Sequence, residues 1–436
     1  MQQFRIHPTL KIKDHNGEYT GKDLSKAVHY WERFIEDLPD NKFVVTVFPA
    51  NTSFSTLAAL IALLSTGTSY LKIEDYTELT DAIADGLIQE EDAKISLHMG
   101  SSAEAHNIPP DSIYVGDFLT DSLASEEQTT VVKLGHTTSS RMSFSSGTTG
   151  KPKLISVSQG NDASAIAVAI SKYFKHDDYC VFAHGLSHIG THTTAILPSV
   201  FNSKNRTVAL CGSGEQWNEE ILNATHIQYF STMIREFPLP ADNHIRIATT
   251  GGNKISAWFT EYMLSHGVEQ ILDIYGSTEI PPPVGINPIS SVADIDDPFL
   301  VVSNQYDFYT STTNSVVWVY DSMLRKMTFE LSDQIDISVN DNKRYLKFMG
   351  RLSDAQDVRL NGVRISIDSF KMKFESHTGI RAYYLAVEEL EIILYVKHAD
   401  VEIAENFLIS NNAEVTLLPV DDIPTSSGIK YTRPKI

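Results

Sequence analysis

Residues Ser145-Ser146-Gly147-Thr148-Thr149-Gly150-Lys151-Pro152-Lys153 gather two glycines, four hydroxyl side chains and two lysines into nine positions. Backbone amides, hydroxyls and ammonium groups in such a stretch can converge on one polyanion, which is the chemistry of holding phosphate. Gly147 and Gly150 free the backbone to turn its amides inward, and Pro152 stops the segment from continuing as a helix. A Walker loop needs four residues between its glycines and a Ser or Thr after its Lys. Here two residues separate the glycines and Pro152 follows Lys151, so the loop is of another kind. The plain alternative is a polar surface turn.

The rest of the chain sets the terms on which such a loop works. At 436 residues, 42% hydrophobic and 21% charged, the chain has the make-up of a folded protein of two or three domains. A formal net charge of -20 and a pI near 5.1 make the surface repel nucleic acid and anionic membranes. Any anionic ligand is then held by a local positive site, and the loop with Lys151 and Lys153 is one. Cys180 and Cys211 lie in apolar surroundings and read as buried structural thiols. Met1 to Leu10 lacks the continuous apolar core of a signal peptide, and the most apolar run, Leu57 to Leu64, is too short to span a bilayer. The expectation is a cytoplasmic protein without a membrane or nucleic-acid partner.

From Phe43 onward the chain has a βαβ rhythm. Phe43 to Phe48 reads as a buried strand, Phe54 to Ser65 as a helix stopped by Gly67, and Ser69 to Ile73 and Ile95 to Met99 as strands. Residues 100 to 140 read as a polar connection with little helical pattern. The phosphate loop then lies between an expected strand, Arg141 to Phe144, and a helix from Asp162 to Tyr173. Strands follow at Tyr179 to Ala183, Arg206 to Leu210, His226 to Phe230, Ile245 to Thr249 and Gln270 to Tyr275, with a helix at Ser256 to His266. After Pro281 to Pro283 the pattern changes to short antiparallel strands at Phe299 to Ser303, Ser315 to Tyr320, Lys326 to Leu331 and Arg344 to Met349. A last block, from about Leu352, has apolar segments of its own at Ala382 to Val387 and Glu391 to Val396. The fold class expected is α/β: a large N-terminal domain, 1–351, of mainly parallel sheets flanked by helices. It carries a small β-rich subdomain at about 284–351, and a small α+β C-terminal domain follows at 352–436.

Read together with the segments downstream, the chain resembles the AMP-forming adenylating superfamily of acyl- and aryl-CoA synthetases, nonribosomal peptide synthetase adenylation domains and firefly luciferase. Ser145 to Lys153 matches that family's phosphate signature until Leu154, where Gly is usual. Tyr275-Gly276-Ser277-Thr278-Glu279 matches a second motif intact, and Gly251-Gly252-Asn253-Lys254-Ile255 a third in weaker form. Leu331-Ser332-Asp333 and Gly350-Arg351 match two more, in register along nearly the whole chain.

The resemblance implies roles. Ser145, Ser146, Gly147, Thr148, Thr149, Gly150 and Lys153 would hold the ATP phosphates. Gly251, Gly252, Asp273, Tyr275, Gly276, Asp333 and Arg351 would hold the nucleoside, with the Tyr275 ring stacking on adenine, or filling a core, and Asp333 accepting the ribose hydroxyls. Glu279 would hold Mg2+, a hard cation on a hard oxygen, and Thr278 would donate to the α-phosphate. The family's catalytic lysine follows directly on a Gly; here Lys430 comes one residue later after Gly428, and it is the residue assigned. The family's hinge residues correspond to Ser353 and Asp354, which depart from its pattern, and the C-terminal domain it implies is mobile. His184, His188 and His192 are spaced by four, as metal ligands on one helix face would be, but Gly185 and Gly190 interrupt the helix and no acidic partner lies among them. By resemblance His188 and Gly190, with Gly252 and Gly276, would wall the acyl pocket. The reaction implied is ATP-dependent conversion of a carboxylic acid to an acyl adenylate, followed by transfer to the thiol of coenzyme A. Two other readings stand beside it: a stand-alone adenylating enzyme that passes its acyl group to a carrier protein or amine, and a non-catalytic nucleotide-binding protein.

Overall fold

The computed structural model describes residues 1–38, 43–48, 52–73, 76–93, 95–100, 112–125, 131–136, 138–145, 153–186, 188–234, 236–252, 254–303, 305–310, 315–320, 326–331, 333–351, 357–360, 363–388, 391–411, 413, 415–423, 425–426 and 430–431. Two large sheets organise them. The first runs in the order Lys153–Ser158, Ser140–Ser145, Tyr70–Ile73, Val44–Val47, Ser96–His98, Ile113–Tyr114. Its pairings are parallel except for the outermost one, between Lys153–Ser158 and Ser140–Ser145. That hairpin corrects one expectation. The phosphate loop is flanked by two antiparallel strands, and Lys153–Ser158 carries β-branched Ile155 and Val157, each followed by a serine. The following helix, Gln159–Lys172, starts only after Ser158, whose hydroxyl caps Gly160 N. A six-residue strand therefore separates the loop from that helix along the chain.

The second sheet runs Asp333–Asn340, Lys343–Arg351, Phe299–Val301, Gly285–Ile289, Ile271–Tyr275, Ile247–Gly251, His226–Gln228, Tyr179–Phe182, Thr207–Leu210, Lys11–Asp14, Gly17–Thr20. The stretch from Lys11–Asp14 to Ile271–Tyr275 is parallel and both flanks are antiparallel. Several strands expected in the β-rich region thus extend the main sheet. A separate three-stranded sheet comprises Tyr306–Thr310, Ser315–Tyr320 and Lys326–Leu331.

Helix Phe54–Thr66 shows how composition sets position. Every residue from Phe54 to Leu64 is buried, as an all-round apolar helix requires. Ser53 caps its start, and Gly67 ends it at φ 72°, where a Cβ would come within 2.5 Å of the His136 ring. The chain before Phe43 departs from the βαβ rhythm: Gln2–Arg5 pairs antiparallel with Val131–Leu134, and a hairpin leads into helix Gly21–Glu36 through a Thr20–Asp23 capping box. Residues between 100 and 140 hold more structure than expected, including helix Leu119–Ala124. Helix Gln159–Lys172 and the residue after it place Ala169 and Tyr173 against Ile247, Leu272, Ile274 and Ile286 of the second sheet.

The carboxyl-terminal block has its own core. Phe370 and Phe374 of helix Ile367–Thr378 meet Phe407 of helix Val401–Ser410, over a sheet of Tyr383–Glu388, Glu391–Lys397 and Thr416–Val420. It touches the larger part through Trp258, which stands on helix Ala257–Ser265. Trp258 Nε1 donates to Glu375 Oε2 at 2.6 Å, and the Arg381 guanidinium lies 4.4 Å from its ring centroid. Cys180 and Cys211 are buried free thiols, as expected, and burial raises both well above the usual thiol range. No helix among the described residues is long and apolar enough to cross a membrane.

Candidate active site

Several of the motif residues meet at the ends of adjacent strands. Ile271–Tyr275 and Ile247–Gly251 are parallel neighbours with Gly251 opposite Ile274. A Cβ at Gly251 would lie 2.4 Å from the Ile274 carbonyl oxygen, so glycine is required by the close approach. Gly252 follows at φ 80°. Tyr275 ends its strand, and its hydroxyl donates to Asp333 Oδ2 at 3.0 Å, joining two motifs 58 residues apart. Asp333 lies opposite Arg351 in the ladder of the two adjoining strands. Asp333 is a buried carboxylate, only 7% exposed.

Tyr275 is also 7% exposed. Its ring lies 5.8 Å from that of Phe299 and belongs to a cluster with Ile280, Val284, Tyr306, Ile335 and Leu346. Most of the ring is therefore already packed, and the surface it offers a stacked base is small. Asp273, two residues earlier, is 4% exposed, and burial raises its carboxyl to about 7 against the opposing pull of the Ile274 amide.

The turn after Tyr275 is tightly built. A Cβ at Gly276 would sit 2.6 Å from Pro282 Cβ. Ser277 Oγ donates to Glu279 Oε2 at 2.7 Å and accepts from Ile280 N at 3.4 Å, fixing the carboxylate beside Thr278. Among the described residues no group of three His, Cys, Asp or Glu side chains could hold a metal by itself. One oriented carboxylate fits Mg2+ that takes its remaining oxygens from phosphates and water.

Pro282 brings in the other wall. Its carbonyl accepts from Thr193 Oγ1 at 2.5 Å, and its ring approaches Gly190, where a Cβ would be 4.0 Å from Pro282 Cγ and 2.9 Å from His188 Cε1. His188 Nδ1 accepts from Gly190 N at 3.1 Å, capping the buried turn Ile189–Thr191. The three histidines do not share a face. His184 donates through Nε2 to Gln228 O and is lowered to about 4 by burial, while His192 is fully buried at the start of a π-helical turn. Phe230 stands near both His184 and His188, with ring centroids at 4.9 and 6.3 Å. Thr193 and Phe230 belong to this wall without any local sequence signal, since their contacts come from distant segments.

Ser145 and Lys153 face each other across the hairpin that frames the phosphate loop. Ser146, Gly147, Thr148, Thr149 and Gly150 lie outside the described residues, as do Ser353 and Asp354. Lys430–Tyr431 pairs with Thr425–Ser426 in a short hairpin of the carboxyl-terminal block.

Known proteins resemble this chain in sequence and in fold. The family model of AMP-binding enzymes matches residues 45–301. A curated relative, N-(5-amino-5-carboxypentanoyl)-L-cysteinyl-D-valine synthase of Amycolatopsis lactamdurans, is 26% identical over 246 residues, or 51% of this chain, and the chain spans 6% of that relative's length. Among solved structures, o-succinylbenzoate CoA synthetase from Bacillus subtilis, in complex with its acyl-adenylate intermediate, superposes with a TM-score of 0.68 at 15% identity, covering 99% of this chain and 97% of that one. A benzoate CoA ligase from Burkholderia xenovorans LB400 gives 0.67 at 14% identity, covering 98% and 96%. The amide bond synthetase of Marinactinospora thermotolerans gives 0.64 at 14% identity, covering 98% and 96%. With a family model spanning more than half of its length, and a fold shared along nearly all of it, the chain belongs to the AMP-binding enzymes, the adenylate-forming superfamily.

Proposed function

We propose that this protein activates a carboxylic acid with ATP and transfers the resulting acyl group to the thiol of coenzyme A. The observation that carries the first step is the Tyr275–Asp333 hydrogen bond with Arg351 opposite in the ladder, which assembles three separate motifs into one nucleoside-binding corner. In this reading Asp333 accepts the ribose hydroxyls and Gly251, Gly252, Asp273, Tyr275 and Gly276 line the base. Ser145 to Lys153 supplies the amides, hydroxyls and ammonium groups that bind the β- and γ-phosphates.

A carboxylate oxygen of the acid forms a bond to the α-phosphorus as the bridging P–O bond to the β-phosphate breaks, and the electron pair leaves with pyrophosphate. Thr278 donates to the α-phosphate. Glu279 is the residue that would hold Mg2+, and the ion would supply positive charge near the leaving pyrophosphate. Lys430 supplies an ammonium to the reacting oxygens, so the protein's work is positioning and charge neutralisation. The acid lies against His188, Gly190, Gly252 and Gly276. The domain boundary falls at 351/352, and residues 352–436 move between the two steps.

Fold likeness extends to CoA ligases and to an amide bond synthetase alike, so the acceptor is assigned by assay. Incubation with MgATP, an acid that supports exchange and free coenzyme A yields a thioester if coenzyme A is the acceptor. If a parallel incubation with hydroxylamine in place of coenzyme A gives the acyl hydroxamate and AMP while the coenzyme A incubation gives no thioester, the acceptor is an amine or a carrier protein.

A further inference from the structure

The two halves of the candidate site stand on different sheets. The strands that flank the phosphate loop, Ser140–Ser145 and Lys153–Ser158, belong to the six-stranded sheet, and Gly251, Asp273, Tyr275 and Asp333 to the eleven-stranded one. ATP that spans both needs them at a fixed separation, and a buried ion pair ties the hairpin strand Ser140–Ser145 to helix Gln159–Lys172. Arg141 and Asp162 both have fully buried side chains. Arg141 Nε donates to Asp162 Oδ2 at 2.9 Å, Nη2 donates to Oδ1 at 3.3 Å, and Nη1 donates to Ser143 Oγ at 3.1 Å. Arg141 belongs to the strand that enters the loop. Asp162 belongs to the first turn of helix Gln159–Lys172, which follows the strand that leaves it.

The helix that carries Asp162 is also fastened to the nucleoside side. Its Ala169 packs with Ile247, Leu272, Ile274 and Ile286, on the strands that hold Gly251, Asp273 and Tyr275. Ser164 Oγ accepts from Gln305 Nε2 at 2.7 Å, next to Tyr306, whose buried ring shares a cluster with that of Tyr275. The ion pair thus links the loop hairpin to an element locked onto the opposite half of the site. Stability alone gives little reason for it, because apolar residues of similar volume usually replace a buried pair at no loss.

We propose that Arg141 and Asp162 form a positioning pair that fixes the hairpin Ser140–Ser145/Lys153–Ser158, which flanks the phosphate loop in the chain, relative to the nucleoside corner. This rests on the ATP reading above. Wild-type protein and the double variant Arg141→Met/Asp162→Leu are titrated calorimetrically with MgATP, AMP and inorganic pyrophosphate, with circular dichroism and thermal melts as the measure of folding. A mis-spaced site binds each half-ligand normally but loses the advantage of joining them. The expected result is therefore less than about a twofold change for AMP and for pyrophosphate, and at least about a tenfold weakening for MgATP. A merely structural pair would change nothing, or weaken all three ligands in step with a falling melting temperature, and either result overturns the proposal. If the double variant does not fold, Arg141→Lys keeps the charge and loses the bidentate fork. The same selective loss for MgATP is expected there, and a uniform response of the three ligands refutes the pair's role. Wild-type protein that binds none of them overturns the ATP reading, and the proposal with it.

Discussion

Replacing Asp273 by Asn tests the electrostatics of the nucleoside corner directly. Asp273 is 4% exposed in the strand Ile271–Tyr275, opposite Thr250 on one side and Asn287 on the other. Burial raises its carboxyl from 3.8 to about 7. Between about pH 4 and 7 the folded chain therefore keeps a proton that the unfolded chain releases, and stability falls as pH rises through that window. Three units at about 1.4 kcal/mol each give a cost of about 4 kcal/mol once the group is ionised, an upper figure because local relaxation and water reduce it. Asn imitates the protonated carboxyl and never ionises. Urea unfolding of wild type and Asp273→Asn should therefore give nearly equal stabilities at pH 4. By pH 8 the variant should be ahead by a few kcal/mol, with most of the gap opening around pH 5 to 7. A gap of the same size at pH 4 and pH 8, or a wild type that is the more stable at pH 8, would refute the reasoning.

Three further perturbations follow from the same geometry. Tyr275→Phe removes the hydroxyl that donates to the buried Asp333, an interaction with a charged acceptor on the order of 1.5–3 kcal/mol. MgATP affinity should fall roughly tenfold or more, and an unchanged dissociation constant by calorimetry counts against Asp333 as the ribose acceptor. Gly276→Ala puts a Cβ 2.6 Å from Pro282, so the turn bearing Thr278 and Glu279 must shift. Pyrophosphate exchange should drop at least tenfold, as misplacement of about 1 Å does, and full activity would show the turn's position to be unimportant. Lys430→Ala should abolish adenylation while the thermal melt and MgATP binding stay near wild type, and near-normal exchange removes Lys430 from the mechanism.

The parts of this fold that sequence makes legible are those written in continuous local patterns. The β-branched run at Val44–Val47, the helix from Phe54 to Leu64, continuously apolar from Leu57 on, with its Ser53 cap and Gly67 stop, and the strand leading to Tyr275 each carry their own signal. Helix Gly21–Glu36 also spells itself out, with a capping box and buried Leu24, Ala27, Val28, Trp31 and Ile35 on one face, although a βαβ reading that starts at Phe43 passes over it. What stayed hidden was pairing. Lys153–Ser158 folds back on Ser140–Ser145 instead of leading at once into a helix, and nothing within the loop's own residues specifies that register. The site divides in the same way. Its residue types are visible as motifs, but the bond from Tyr275 to Asp333, the Thr193 contact to Pro282 and the Arg141–Asp162 pair arise from chain segments far apart in sequence.

Isotope exchange between labelled pyrophosphate and ATP, run with MgATP and a panel of aryl, short aliphatic and amino acids, tests acyl-adenylate formation without requiring that the acceptor be known. At least one acid should return label into ATP, and Lys430→Ala should abolish that return. If no acid supports exchange while MgATP still binds, the protein is a nucleotide-binding member of its family without catalytic activity, and the proposed reaction is wrong.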